Sequence, residues 1–474
     1  MPESSGVFAL VIERIMFMNI ELPSKVRNIL DVLDAHGYEA YVVGGCVRDS
    51  ILQRKPEDWD ITTSARPEEV KALFRRTIDT GIAHGTVTVM QGDEGFEVTT
   101  YRVDGKYEDG RHPSEVTFTP NLEEDLLRRD FTINAMAYNE KAGLVDMYGG
   151  ISDLENKLIK CVGDADARFD EDALRILRAV RFAAQLDFEI EEETRAAITR
   201  HTENLRKVSA ERIQMEIVKL LISPNPERWV DLYDTGITAV IMPEFDVAMN
   251  TPQNSVHHMY NVGEHTLHAL VACRPDKILR LTMLLHDLGK PAARVTDDRG
   301  YDHFPGHAEI SAEIAKDILK RLKFDNETSS IVTKLVKYHD YRPEPEPTAV
   351  RWALNKIGDD LFPIFLEVQW ADNSAKSEFG LDDKFDRVQA VSDVYDDVLK
   401  NRDCVKLSDL AINGNDVLAL GVTGKEVGRI LNLALKLVVE DPDMNEHDSL
   451  VAFAKHEIEK NAAEKPDKIS TFCV

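Results

Sequence analysis

Two aspartates beside a glycine turn are the residues of this chain whose spacing most clearly suggests chemistry. Asp58 and Asp60 lie two apart around Trp59, in a run that reads as a β-strand. Side chains two apart on a strand share a face, so we expect the carboxylates a few ångströms from one another. Carboxylates that close repel each other unless a cation lies between them. Oxygen ligands of this kind suit Mg²⁺ that also binds substrate phosphates.

The glycine turn lies between a predicted strand and a predicted helix. The strand, over residues 38–43, is rich in aromatic and β-branched residues, and Gly44 and Gly45 then allow a tight turn that approaches a ligand closely. A helix predicted over residues 47–52 turns its free N–H groups towards this bend, where an anion can bind. Either motif alone is common in solvated loops and would not indicate a function. In this order, strand, glycine turn, helix and acidic strand indicate nucleotidyl transfer.

The elements that must position these residues can be followed along the chain. Amphipathic helices are predicted over residues 22–36 and 67–74, and a hairpin over residues 85–101. Glu97, on the second hairpin strand, is the candidate third carboxylate of the metal site, although a surface glutamate is the alternative. The polar segment 101–119 is predicted to be a long, mobile loop.

Arginine and aspartate then recur in pairs. Arg129 and Asp130 are adjacent, so one can donate to phosphate oxygens while the other accepts from a ribose hydroxyl; a surface ion pair is the alternative. Residues 168–182 have the apolar spacing of a helix, which places Asp172 and Arg175 on one face. Such a pair can match the edge of a base, although an intrahelical salt bridge would explain it equally.

Composition limits the class of protein. A chain of 474 residues is expected to form three or four domains, and a net charge of −27 excludes a surface that coats nucleic acid throughout, but not a local basic track. The five cysteines are scattered and odd in number, which suits a reducing cytoplasm. The apolar patch in residues 7–12 is too short to span a membrane, so residues 1–20 are predicted to be a loose extension.

In this order, the motifs resemble those of the bacterial tRNA nucleotidyltransferases, the CCA-adding enzymes of the poly(A)-polymerase-like class. The resemblance covers most of the chain and rests on residues 44–49, 58–60, 128–136, 149–150, 171–175 and 211–212. It implies that Asp58 and Asp60 hold the catalytic Mg²⁺ ions and that Arg129 and Asp130 recognise the ribose. Two metals about 4 Å apart would activate the tRNA 3′-hydroxyl and stabilise departing pyrophosphate.

The resemblance also implies a template made of protein. Glu171, Asp172 and Arg175 would select CTP and then ATP. With these, the predicted nucleotide-binding residues are Gly44, Gly45, Arg48, Arg129, Asp130, Asn134, Glu171, Asp172, Arg175 and Arg178. Bacterial poly(A) polymerases share this head, but their paired-arginine stretch is replaced here by residues 81–87. The long loop favours complete CCA addition, since enzymes that add only two cytidines are expected to have a shorter one.

A second set of possible metal ligands lies between Thr251 and Ala375. Histidines and aspartates there each end a mainly apolar helical run, a pattern that favours a metal site over isolated structural histidines. The set resembles the HD-type metal-dependent phosphohydrolases. This implies a core of His265, His286, Asp287 and Asp372, joined by His307 and His339 if the site is binuclear. A divalent transition metal is expected, and either phosphohydrolase activity or a purely tRNA-holding role remains open.

The sequence therefore predicts an α+β protein, with a nucleotidyltransferase head of small mixed sheet and helices and an all-helical remainder. The predicted segments are an extension (1–20), head (21–148), neck (149–250), HD domain (251–400) and tail (401–474). We expect CCA addition to tRNA from CTP and ATP, with no membrane contact and no obligatory protein partner. The alternatives are a poly(A) polymerase, or an HD phosphohydrolase whose inactive head only binds RNA.

Overall fold

The computed structural model describes residues 19–105 and 116–463. It divides into two compact units: the first is Met1–Asp246 with Arg321–Phe324, and the second is Val247–Lys320 with Asp325–Val474. The finer division into head, neck, HD domain and tail remains a prediction. Within the described ranges, no helix combines the length and apolar character needed to cross a membrane.

The first unit is built on a mixed sheet. Its strands are β1 Ala40–Val43, β2 Ile61–Thr63, β3 Thr77–Gly81, β4 Thr86–Gln91, β5 Glu94–Thr100, β6 Arg102–Asp104, β7 Val116–Phe118, β8 Met136–Asn139, β9 Gly143–Asp146, β10 Leu158–Ile159 and β11 Glu189–Ile190. Seven of them form one sheet in the order β3–β4–β5–β2–β1–β8–β9. β1 is antiparallel to both neighbours, whereas β2 is parallel to β5. The predicted α+β class is therefore confirmed.

Helices accompany and follow this sheet. They are α1 Ser24–Ala35, α2 Gly45–Ile51, α3 Pro67–Leu73, α4 Leu122–Leu127, α5 Gly150–Glu155, α6 Ala165–Glu171, α7 Leu174–Leu186, α8 Glu192–His201, α9 Ala210–Leu221, α10 Trp229–Asp234, α11 Ile237–Ile241 and α12 Pro243–Met249. α1 buries its apolar stripe as predicted, and β4 and β5 form the predicted antiparallel hairpin.

The acidic pair does not lie on a strand. β2 begins only at Ile61, so the predicted strand conformation of residues 58–60 is wrong. The cause is the glycine turn: β1 ends at Val43, whose N–H donates to the Asp60 carbonyl (3.0 Å), and the ladder stops there. Asp58 and Asp60 thus occupy an irregular segment at the end of the sheet, directly beside the turn.

The predicted single helix over residues 168–182 is also wrong. α6 ends at Glu171, Asp172 has extended backbone angles (φ −141°, ψ 101°), and α7 starts at Leu174. Asp172 and Arg175 therefore do not share one helix face, because the break rotates one relative to the other.

The polar loop is only partly described. Residues 102–104 and 116–118 pair as the antiparallel strands β6 and β7, so the ends of the predicted loop are ordered. Residues 106–115, the rest of that predicted mobile loop, lie outside the described residues, as do positions 1–18 of the predicted extension and 464–474 of the predicted tail.

The second unit is almost entirely helical. Its elements are α13 Val262–Val271, α14 Lys277–Leu285, α15 Lys290–Ala293, β12 Val295–Thr296, β13 Asp302–His303, α16 His307–Arg321, α17 Asn326–Tyr338, α18 Pro347–Ile357, α19 Phe362–Ser374, α20 Leu381–Asn401, α21 Gly414–Ala419, α22 Lys425–Glu440 and α23 His447–Ala463. His307 begins a helix rather than ending one, contrary to the prediction, because Gly306 (φ +70°) turns the chain just before α16.

Candidate active site and metal centre

Three carboxylates meet at the end of the central sheet. The parallel register of β2 and β5 places Asp60 beside Glu97. Partial burial raises the pKa of Asp60, and the neighbouring Asp58 charge adds to the rise. Burial also raises the pKa of Glu97, followed by the charges of Asp60 and Asp58. The three side chains therefore repel one another, and a divalent cation bound among their oxygens would relieve that repulsion.

The glycine turn brings an arginine to the same place. Gly44 has φ +79°, which favours glycine, and a Cβ atom there would lie 3.2 Å from Nη1 of Arg129, a tight contact. The Arg129 guanidinium partly offsets the rise that burial causes in the pKa of Asp60. Arg129 Nε is buried without a hydrogen-bond partner among the described residues. An arginine beside carboxylates that can hold a metal ion is suited to bind the phosphates of a nucleotide.

A chain of hydrogen bonds links α2 to α7. Arg48 donates to Asn134 Oδ1 (2.7 Å), and Asn134 donates to Asp130 Oδ1 (3.1 Å). Asp130 Oδ2 accepts two bonds from Arg178, at 2.8 and 2.6 Å. Burial opposes ionisation of Asp130, but the Arg178 charge and these bonds hold its pKa well below the usual range. Four predicted nucleotide-binding residues are therefore one connected network.

An aromatic ring, which the sequence reasoning did not single out, supports that network. The guanidinium carbons of Arg48, Arg178 and Arg181 lie 5.1, 5.3 and 3.9 Å from the centre of the Phe182 ring. Arg181 also forms an ion pair with Glu216 (2.7 Å). Cations over a ring are attracted to its face, so Phe182 helps to fix the directions of these arginines.

The predicted template residues are brought near one another, but each has another partner. Asp172 accepts from Arg212 (2.7 Å) and from the N–H of Leu174 (3.0 Å). Arg175 donates to Glu171 (2.6 Å) and to the carbonyl of Arg128 (2.7 Å). Arg212 was known from the sequence only as part of a motif; its pairing with Asp172 is set by the tertiary fold.

Asp287 occupies the centre of the histidine cluster in the second unit. Its Oδ2 lies 3.4 and 3.2 Å from Nε2 of His265 and His286, and its Oδ1 lies 3.5 and 3.4 Å from Nε2 of His307 and His339. The Asp287 side chain is 1% exposed, and its oxygens face the four histidine rings and Lys290 Nζ (2.6 Å). Asp287 belongs to both of the possible ligand groups in this cluster, so these residues could hold two divalent metal ions.

Backbone carbonyls orient the histidines. Nδ1 of His286 and His339 bond to the carbonyls of Met283 and Val336, at 2.6 and 2.7 Å, which leaves Nε2 of each ring facing Asp287. A histidine held through one nitrogen in this way presents the other to a metal.

Asp372 faces His265 with Oδ1 (3.2 Å), while its Oδ2 accepts from Lys376 (2.6 Å) and Arg342 (2.9 Å). Lys290 similarly contacts Asp287 (2.6 Å). Burial opposes ionisation of both aspartates, but their cationic neighbours keep each pKa well below its usual value. The sequence reasoning missed these three cations, although Lys290 and Lys376 follow the aspartates at helical spacings of three and four residues.

A cavity of about 520 Å³ opens above this cluster. Its wall includes His257, His258 and His303. Burial lowers the pKa of His258 to about 2, so this ring is neutral at physiological pH. Arg299 and Tyr301 also line the cavity, which is large enough for a small organic ligand.

Three family models match separate parts of the chain. The poly(A) polymerase head domain matches residues 40–160, and a probable RNA and SrmB-binding site of polymerase A matches residues 187–249. A putative tRNA nucleotidyltransferase domain 2 matches residues 301–454. The first match contains all three carboxylates and the glycine turn.

Full-length relatives share one name. The CCA-adding enzyme of Levilactobacillus brevis is 36% identical over 428 residues, which are 90% of this chain and 96% of the relative. That of Enterococcus faecalis is 34% identical, over 93% of this chain and 98% of its own. The structure resembles the Bacillus stearothermophilus CCA-adding enzyme in complex with CTP, with a TM-score of 0.68 at 29% identity, covering 94% of this chain and 100% of that one. Nucleotidyltransferases of this kind use divalent metals, and by these similarities the chain belongs to the family of CCA-adding enzymes, the tRNA nucleotidyltransferases.

Proposed function

We propose that this protein adds C, C and A to the 3′ end of tRNA, using CTP and ATP and releasing pyrophosphate. The observation that carries the proposal is the meeting of Asp58, Asp60 and Glu97 beside the glycine turn. Asp58 and Asp60 would hold Mg²⁺, with Glu97 as the third carboxylate. The bound metal would supply activation of the attacking 3′-hydroxyl and neutralisation of the leaving phosphates.

The other residues of the head bind and orient the nucleotide. Arg129 lies beside both the turn and Asp60, where its guanidinium can bind phosphate or ribose oxygens. Asp130 already accepts four hydrogen bonds from protein groups, so it acts chiefly by holding Arg178 and Asn134. Arg48 completes the same network.

Selection of the base falls to Glu171, Asp172 and Arg175, with Arg178 beside them. A carboxylate accepts from the exocyclic amine that cytosine and adenine share, and a guanidinium donates to ring acceptors. Cytosine and adenine can therefore bind the same protein groups. Uracil and guanine cannot, because they present a carbonyl oxygen in place of the amine and a ring N–H in place of the ring acceptor. This supports a protein template that accepts CTP and ATP.

Sequencing of the 3′ ends formed on tRNA that lacks its terminal CCA tests the proposal. With CTP and ATP together, we expect ends that finish in CCA, and no incorporation by Asp58→Ala or Asp60→Ala. Runs of A from ATP alone would instead indicate a poly(A) polymerase. Ends that stop after two cytidines would contradict complete addition, and absence of incorporation by the wild type would contradict the proposal entirely.

A second activity is proposed for the histidine cluster. His265, His286, Asp287 and Asp372 would hold one divalent transition metal, and His307 and His339 with Asp287 a second. The two ligand groups that share Asp287, and the 520 Å³ cavity that this residue lines, support a metal-dependent phosphohydrolase. We propose that this site is separable from CCA addition and that the protein acts in the cytoplasm. A manganese-dependent release of phosphate from a generic phosphodiester, retained in Asp60→Ala and lost in His286→Ala, would support it; no release by the wild type would contradict it.

A further inference from the structure

A second, smaller pocket of the second unit carries an unusual charge. Its volume is about 220 Å³, and it lies between α20, α19 and the segment that follows α17. Its lining residues are Arg342, Pro343, Gln369, Asn373, Lys384, Arg387, Val388 and Val391. Three of these are cationic, and in the described parts of the chain no carboxylate lines the pocket. In a chain of net charge −27, such a lining is an exception.

Helical spacing explains how the pocket is built. Arg387, Val388 and Val391 lie three, four and seven residues after Lys384 along α20, so the four residues share one face. Val388 and Val391 are 6% and 2% exposed and form the floor that packs into the core. The two longer cationic side chains lie on the same face, nearer the start of the helix.

The opposite wall offers neutral hydrogen-bonding groups. Gln369 and Asn373 lie one turn apart on α19 and are 2% and 3% exposed. Gln369 donates to the Tyr341 carbonyl (2.5 Å), which fixes its side chain. Amides held in this way can donate further hydrogen bonds to a ligand without a large loss of entropy.

Each cation already has at least one contact but keeps further N–H donors. Arg342 donates to Asp372 (2.9 Å), a carboxylate that is not part of the pocket lining. Lys384 donates to the backbone carbonyl of Phe379 (3.0 Å). Arg387 binds Glu344 through Nη2 (2.9 Å), but its Nε is buried without a hydrogen-bond partner. Burial lowers the pKa of Lys384 and the Lys376 charge lowers it further, while the Asp372 carboxylate opposes this shift.

We propose that this pocket is a binding site for a small tetrahedral oxyanion, a phosphate group held by Lys384, Arg387 and Arg342 with the amides of Gln369 and Asn373. Two or more cations and several N–H donors around one small space are the arrangement that binds phosphate. The volume is smaller than that of ordinary small-molecule sites, which indicates a free phosphate rather than a nucleotide. The site is separate from the 520 Å³ cavity and does not require metal there.

Calorimetric titration of inorganic phosphate into the full-length protein tests the proposal, after chelation and dialysis have removed bound metal. We expect binding by the wild type and affinity about ten-fold weaker in Lys384→Met, because a charge-assisted contact is lost. Arg387→Gln should weaken binding similarly. Lys400→Met is the matched control: it removes the same charge from an exposed position on the same helix and should change the affinity less than about two-fold.

Other outcomes separate this pocket from its neighbours. Arg299 lines the larger cavity. If Arg299→Gln abolished phosphate binding while Lys384→Met left it unchanged, the phosphate would bind in the larger cavity and the proposal would be wrong. Absence of phosphate binding by the wild type at millimolar concentration would also overturn it. Circular dichroism and CMP incorporation confirm that each variant is folded. Ribose 5-phosphate provides the second ligand: weaker binding than phosphate identifies a free-phosphate site, whereas equal affinity identifies a site for the phosphate group of a larger ester.

Discussion

Replacing Asp130 by asparagine distinguishes two roles for this residue. Asp130 is 8% exposed, and its oxygens accept from Phe131 N–H (2.8 Å), from Asn134 (3.1 Å) and twice from Arg178. With these four bonds, Asp130 would act by positioning Arg178. In the alternative role it would contact the nucleotide itself, by accepting a hydrogen bond from the ribose 2′-hydroxyl. Asparagine keeps the size of the side chain but removes the charge that balances Arg178.

The expected loss follows from the burial of the pair. Breaking a buried ion pair by removing one partner costs about 3 to 5 kcal/mol. The Arg178 side chain is 33% exposed, so solvent screens the pair. We therefore expect the free energy of unfolding of the variant to be lower by about 2 kcal/mol.

The loss should depend on pH. Burial opposes ionisation of Asp130, but Arg178 and the hydrogen bonds lower its pKa below that of an unfolded aspartate. The carboxylate therefore stabilises the fold above the unfolded pKa, and this stabilisation is lost as the pH falls through the folded pKa. The difference between wild type and Asp130→Asn should therefore shrink in acid.

The deciding assay compares CTP with dCTP on tRNA that lacks its CCA end. A shift of Arg178 by about 1 Å should reduce kcat/KM about a hundred-fold for both nucleotides, which leaves their ratio nearly unchanged. A variant that loses activity with CTP but not with dCTP would refute the positioning role, because Asp130 would then contact the 2′-hydroxyl. Asp166→Asn is the control: Asp166 also accepts two bonds from an arginine, Arg200, but at an exposed position, and little change is expected.

Three further predictions concern the turn and the two metal sites. Gly44→Ala should lower the thermal midpoint more than Gly37→Ala, because both have positive φ but only Gly44 has Arg129 against it; equal losses would contradict the close approach. Glu97→Gln should raise the midpoint of the metal-free protein, since it removes one of three repelling charges, and should abolish stabilisation by Mg²⁺; a lowered midpoint would contradict that repulsion. Elemental analysis should find both metals lost in Asp287→Asn but one retained in His307→Ala, and equal loss would argue against a bridging carboxylate.

Local sequence patterns were sufficient to predict the structure where residues close in sequence are also close in space. The stripe of α1, the turn after β1 and the β4–β5 hairpin are set by side-chain period and by glycine, so they were predictable. Adjacency of the acidic pair to the turn followed from the same reasoning. The strand conformation of residues 58–60 did not, because strand length depends on where the partner strand ends, and β1 ends at the turn itself.

Partners distant in sequence could not be predicted in this way. The break between α6 and α7 has no glycine or proline to mark it, and it places Asp172 against Arg212, forty residues later. Asp130 and Arg178 are forty-eight residues apart, and each alone looks like an ordinary surface charge. Only the fold shows that these charges are paired and partly buried.

The pairing of the template residues bears on how a base is chosen. One Asp172 oxygen accepts a hydrogen bond from Leu174 N–H and the other accepts from Arg212, while Arg175 donates to Glu171. Each carboxylate oxygen has a second lone pair, so an incoming base can bond to these groups without breaking every protein contact. The contacts hold the groups in one geometry before the nucleotide binds, which reduces the entropy lost on binding. Discrimination then depends on the whole paired set rather than on one side chain, because moving Arg212 would move Asp172 and alter the recognition of both bases.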